Sequence, residues 1–312
     1  MQASPVAVSE IQDFDLQRRV VAHMTSASWR STPHVSFIYE PDITDFYAAF
    51  ATLAAQRAAR AGEPRKISFN TIILKALVEG LLAAPRLNSL IDYDASTGRG
   101  RLRVCAEINI AMPWLIPDGR MITPILAQAE KMSLDAMADG VATLARKIEN
   151  TNVDEMLLEA IAAKTAEDIK RFRLDALWRV LNSVVRGRRI KRLQGEERER
   201  YYRLSEDVRL CKKDIMDGTV TISNIGSLYR EQRGYLSLLE IIPPQVLAIG
   251  IGAVQEKPGI FVDHARNQQL GVRKFIPICL AFDHRAFDFA ALVPFLERLD
   301  KIFAEPDEVF TW

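Results

Sequence analysis

The chain has 312 residues, 48% hydrophobic and 26% charged, enough for one large domain or two modest ones. Forty-one basic against forty acidic residues leave a formal charge of +1, which gives no electrostatic case for nucleic acid or an anionic membrane as partner. No run of about eighteen uncharged apolar residues is present, and residues 1–15 lack a basic stretch followed by an apolar one. Three scattered cysteines, Cys105, Cys211 and Cys279, suit neither a disulfide framework nor a metal cluster. These features fit a cytoplasmic protein with no metal.

Residues 1–15 read as a polar leader. Leu16, Val20, Val21 and Met24 then recur at helical spacing, and Pro33 ends any helix there. Residues 34–39 alternate Val35, Phe37 and Tyr39 against His34, Ser36 and Ile38, the pattern of a strand. Asp42 to Asp45 resembles a helix N-cap before the Ala-rich run 46–61. Residues 69–84 are apolar nearly all round, which predicts a deeply buried helix closed by Pro85. Residues 87–92 read as a loop leading into a strand. Residues 103–112 and 121–126 read as strands around a tight turn at Pro117-Asp118-Gly119. Ser133 caps a helix to about residue 148, with Leu134, Met137, Val141, Leu144 and Ile148 on one face.

Residues 151–217 are dense in charge, with helical runs at 157–185 and 196–204, and read as a helical insertion on the core. The basic run Arg186 to Arg192 inside it fits a solvated helix end or a dock for an acidic partner such as a carrier protein. Residues 219–223, 246–251 and 275–281 are apolar, β-branched runs of strand length, and 287–303 is a final amphipathic helix. Strands and helices are mixed rather than strictly alternating, which favours an α+β or mixed-sheet α/β sandwich. The core that carries the insertion is then 16–150 together with 218–312.

Of the four histidines, His23, His34 and His264 have ordinary settings. His284 follows an apolar strand, is flanked by Asp283 and Arg285, and has Asp288 four residues on as a helix begins. Strand ends of this kind display reactive groups on rigid scaffolds. A second strand, Thr219 to Ser223, ends in Asn224-Ile225-Gly226-Ser227, where a serine can donate a hydrogen bond to an oxyanion and the asparagine and glycine permit a sharp turn.

Together these segments resemble the catalytic domain of the dihydrolipoyl acyltransferases of 2-oxo acid dehydrogenase complexes, whose fold also occurs in chloramphenicol acetyltransferase. The family signature D-H-R-x-x-D-G appears as Asp283 to Phe289, and T-I-S-N-x-G as Thr221 to Gly226. Pro33 to Ser36, Lys75 to Asn88, Asn109 to Ile125 and Ile242 to Gly250 add ordered matches. The resemblance implies acyl transfer between thiols, with coenzyme A as one substrate and a lipoyl or pantetheine arm carrying the other thiol. It implies His284 as general base, Ser223 as oxyanion donor and Asp288 as an orienting residue, with Arg285 in structural ion pairs. It also implies a homotrimer, or a larger assembly, in which His284 and Ser223 meet between subunits.

Four departures accompany the resemblance. Phe289 replaces the motif glycine; Ser227 to Arg233 replaces a glycine-rich stretch; residues 151–217 are extra; and no lipoyl domain is read ahead of the core. The acyl group is therefore expected from a separate lipoyl protein, acyl coenzyme A or a phosphopantetheine carrier. Two other readings follow from these departures: a carrier-protein-dependent acyltransferase of secondary metabolism, and a non-catalytic trimeric scaffold that docks partners through the insertion.

Overall fold

A computed structural model describes residues 7–59, 67–170, 192–263 and 265–312. His264 and most of the basic run 186–192 lie outside the described residues, as does the helical expectation for 171–185. The described helices are α1 (Leu16–Ser31), α2 (Thr44–Ala59), α3 (Phe69–Ala83), α4 (Leu134–Glu149), α5 (Val153–Lys170), α6 (Gly195–Arg203) and α7 (Val293–Ala304). None of them is long and apolar enough to cross a membrane.

Six strands form the main sheet: β1 (His34–Tyr39), β4 (Ile110–Ala111), β7 (Ile125–Leu126), β8 (Val220–Asn224), β9 (Leu247–Ile251) and β12 (Ile278–Asp283). Their order is β1-β12-β9-β8-β4-β7. The pairs β9/β8 and β8/β4 are parallel and the other three antiparallel, so the sheet is mixed, as the sequence predicts. Every residue of β9 and β12 is buried. Strands covered on both faces read as continuous apolar runs, which is how these two appear in the sequence.

Three two-stranded ribbons stand beside the sheet: β2 (Ser89–Asp94) with β3 (Arg99–Val104), β5 (Trp114–Leu115) with β6 (Met121–Ile122), and β10 (Gln255–Val262) with β11 (Gln268–Phe275). They correct several boundaries. The expected strand 103–112 is two pieces, because residues 105–109 leave the ladder; there the Asn88 side chain donates to the carbonyls of Cys105 and Glu107 at 3.2 and 2.8 Å. The expected strand 121–126 divides at Pro124 into β6 and β7, and 275–281 divides at Pro277 into β11 and β12. Proline has no N–H to donate to a ladder. Residues 85–87 form a 3-10 turn, and β2 begins at once after it.

Helix α3 is the centre of the helical layer, with ten of its fifteen residues buried. Ser68 caps its start, accepting from the Thr71 N–H at 3.1 Å. One continuous core joins Ile72, Leu77 and Leu81 of α3 to Val220, Ile249 and Leu280 of the sheet and to Phe295, Leu299 and Phe303 of α7. The last helix enters through a 3-10 turn, Phe289–Leu292, and becomes α-helical only at Val293, where Pro294 fits the first turn.

Gly80 is where α3 and α7 come closest: a Cβ there would lie 2.8 Å from the ring of Phe295, which is fully buried. Gly80→Ala is therefore expected to destabilise the fold by about 1–2 kcal/mol, because overpacking outweighs the gain of roughly 1 kcal/mol in helix propensity. A urea unfolding midpoint equal to or above that of the wild type would show that the ring has room to move.

Candidate active site

The turn after β12 is built around a buried carboxylate. Asp283 is fully buried, and Arg285 grips it through Nε at 3.0 and 3.1 Å and through Nη2 at 2.6 Å. The Arg285 main-chain N–H donates to the same carboxylate at 2.9 Å. Thr32 Oγ1 accepts from Arg285 at 3.4 Å, and the guanidinium lies 5.3 Å from the centre of the Tyr93 ring. A carboxylate removed from water needs such partners. Arg285 thus makes the structural ion pair implied by the resemblance.

His284 sits between these two residues and is turned outward. Its main-chain N–H donates to the Pro33 carbonyl at 3.0 Å, and its ring meets Phe282 edge-on at 6.0 Å. The side chain is about half exposed, with Nδ1 3.4 Å from an Asp288 carboxylate oxygen. That separation permits attraction but is longer than a good hydrogen bond. Asp288 precedes the 3-10 turn without capping it, which leaves its carboxylate available to the imidazole. Phe289 packs edge-on against Phe37 of β1 at 5.0 Å and leaves the imidazole uncovered. The bulk at the motif's glycine position is accommodated by the sheet edge.

His34 is structural. Its Nδ1 is 2.8 Å from the Thr32 carbonyl, and Nε2 accepts from the Ile241 N–H at 3.1 Å, so both ring nitrogens are occupied. This requires the neutral tautomer with the proton on Nδ1.

Ser223 lies near the end of β8, half-buried, and its hydroxyl has no hydrogen-bond partner among the described residues. Asn224 donates to the Asn70 side chain at 2.6 Å and accepts from the Ser227 N–H at 2.9 Å, which fixes the turn. Gly226 is required there: a Cβ would lie 2.4 Å from the Ala253 nitrogen. The loop in place of the glycine-rich stretch is held by the Gln232 side chain, which accepts from the Ala253 N–H at 2.9 Å. The sequence reading missed Asn70. Its signal was a lone amide at the start of an otherwise apolar helix.

The structure brings His284 and Asp288 together but not Ser223. Ser223 is in register with Gly250, and Gly250 with Cys279. His284 lies five residues beyond Cys279 along β12. At about 3.3 Å per residue and two strand spacings of about 4.8 Å, the two side chains of one chain are on the order of 15–20 Å apart. They occupy opposite ends of the sheet.

The chain matches the family model described as 2-oxoacid dehydrogenases acyltransferase (catalytic domain) over residues 8–158 and 187–311. It is 22% identical over 282 residues to the dihydrolipoyllysine-residue acetyltransferase component of the pyruvate dehydrogenase complex of Mycobacterium bovis, covering 90% of this chain and 39% of that protein. The chain thus spans about two fifths of that relative's length. Its fold is similar to the cubic core of the pyruvate dehydrogenase multienzyme complex, with a TM-score of 0.62, 20% identity and 99% of each chain covered. It is also similar to the dihydrolipoamide acetyltransferase of Azotobacter vinelandii, with a TM-score of 0.60, 20% identity and 99% of each chain covered; in that protein the catalytic roles of a serine, a histidine and an asparagine were investigated.

Breaking the buried pair tests its role in holding the turn. Arg285→Ala is expected to cost roughly 3–5 kcal/mol of unfolding free energy, since it strands the Asp283 carboxylate. Arg285→Lys, which keeps the charge but loses the two-pronged grip, should fall between it and the wild type. Wild-type stability in Arg285→Ala, measured by denaturant unfolding, would contradict this account.

Proposed function

The chain belongs to the 2-oxoacid dehydrogenases acyltransferase family, and from that premise we propose that it moves an acyl group between two thiols. His284 is the general base and Ser223 the oxyanion donor. One thiol belongs to coenzyme A and the other to a dihydrolipoyl or pantetheine arm. The observation that carries this reading is the pair of unspent groups at the two ends of the sheet: an outward imidazole beside Asp288 and a hydroxyl free of partners among the described residues.

The chemistry follows from those groups. The acceptor S–H gives its proton to His284 Nε2, while Asp288 lies on the Nδ1 side of the ring. The thiolate attacks the carbonyl carbon of the donor thioester, and the new C–S bond places negative charge on the carbonyl oxygen. The Ser223 hydroxyl donates to that oxygen. Collapse breaks the old C–S bond, and the departing sulfur takes the proton back from His284. One thioester and one thiol are exchanged for another of each, with no net oxidation or proton release.

Because one chain separates Ser223 from His284, the reading requires a second copy. Each site is formed where His284 of one protomer faces Ser223 of its neighbour, and a closed ring of three copies repeats that contact without leftover surfaces. Likeness in fold to a cubic core supports a larger assembly of such trimers. The serine and histidine investigated in the Azotobacter vinelandii protein are the residue types that this reading assigns to Ser223 and His284. Three unpaired cysteines suit a cytoplasmic location.

His284→Ala is expected to lower exchange between acyl coenzyme A and dihydrolipoamide by at least 100-fold, and Ser223→Ala by about 100- to 1,000-fold, with assembly unchanged by light scattering. Near-normal turnover in His284→Ala would overturn the reading. Co-expressing the two variants tests the shared site: random mixing should restore about a quarter of wild-type activity, since some interfaces then pair an intact histidine with an intact serine. Activity no higher than that of the separate variants would place both groups in one chain.

A further inference from the structure

The turn that follows Ser223 is closed on itself and then tied to a helix by one side chain. Asn224 accepts from the Ser227 N–H at 2.9 Å, and the Ser227 hydroxyl donates to the Asn224 carbonyl at 2.8 Å. A main-chain N–H can only donate, so the atom of Asn224 that faces Ser227 is Oδ1. Its amide nitrogen must then face the other way, where it donates to Asn70 Oδ1 at 2.6 Å. Asn70 stands in the first turn of α3, just after the Ser68 cap, on a helix with ten of its fifteen residues buried. The acceptor is therefore fixed by a rigid element and not by the turn it holds.

Successive residues of a strand point to opposite faces. On β8, Ile222 joins the core shared with α3 and Asn224 turns to the same side, while Thr221 donates to Gln245 on the other. Ser223 alternates onto the Thr221 side, directly before the residue that α3 holds. A twist of the strand end that carried Asn224 away from Asn70 would swing the Ser223 hydroxyl with it. That hydroxyl has no partner of its own among the described residues to resist the twist. An oxyanion donor is aimed at charge that exists only in the transition state, and a displacement of about 1 Å can cost on the order of 100-fold in rate. We propose that Asn70 is a positioning residue: by accepting from Asn224 it fixes the direction of the Ser223 hydroxyl, without itself touching the reacting atoms. This inference rests on the acyl-transfer reading above.

The test measures exchange between dihydrolipoamide and whichever of acetyl, butanoyl and isopentanoyl coenzyme A the assembled protein turns over fastest. Asn70→Ala is expected to lower kcat by about 10- to 100-fold and to leave KM within about twofold, because the lost aim matters only in the transition state. In a Ser223→Ala background the same substitution should change kcat by less than about twofold, since no hydroxyl remains to be aimed. Asn70→Ser, too short to reach Asn224, should repeat both results, so that one misfolded variant does not decide the matter. Unfolding midpoints and light scattering identify the variants that are folded and assembled. Wild-type kcat in Asn70→Ala, or a loss that persists at full size in the Ser223→Ala background, would overturn the positioning role while leaving acyl transfer intact. Undiminished turnover in Ser223→Ala, or none in the wild type with any of the three thioesters, would overturn the acyl-transfer reading and this inference with it.

Discussion

The arrangement depends on one buried ion pair. Asp283 is the last residue of β12 and Arg285 folds back on it, so two charged side chains close a turn whose middle residue has nowhere to go but outward. Burying a carboxylate is costly, and the guanidinium, the main-chain N–H of Arg285 and the adjacent Thr32 contact together offset that cost. The pair also ties the turn to the start of β1, since the His284 N–H donates to Pro33. The imidazole thus rests on covalent and ionic constraints from three directions rather than on packing of its own ring.

The mixed sheet gives the rest of the geometry. β12 is antiparallel to β9, and β9 is parallel to β8. The carboxyl ends of β8 and β12 therefore point to opposite ends of the sheet, and the two polar strand ends of the chain are kept apart by the length of the strands. A single chain shows the two candidate groups at separate surfaces, each exposed or unpartnered among the described residues. Under the proposed function, association of copies is what turns this separation into proximity.

Much of this was legible in the sequence, for identifiable reasons. The continuous apolar runs of β9 and β12, the alternation in β1 and the all-round apolar face of α3 come from burial, which composition reports directly. The strand ends at His284 and Ser223 are visible as polar residues closing apolar runs, but the roles expected of His284, Asp288 and Ser223 come from the resemblance and not from that pattern. Boundaries at Pro124 and Pro277 were missed because a proline inside an apolar run ends hydrogen bonding without changing hydrophobicity. The ribbon of β2 and β3 was hidden for another reason: β3 carries Arg99, Arg101 and Arg103 and is mostly exposed, so it has no apolar alternation to read. The Asn70–Asn224 contact joins residues far apart in sequence, and only the folded sheet brings them together.

Phe289 bears on how such chains are recognised. The motif ends in glycine, yet here an aromatic ring stands at that place, leans on Phe37 and leaves the imidazole in the open. The backbone at Asp288 is extended and then turns into the 3-10 segment with ordinary negative φ, so no left-handed conformation demands glycine. A signature that insists on glycine there is stricter than this architecture, and a search written that way passes over proteins whose aspartate, histidine and arginine are all in place.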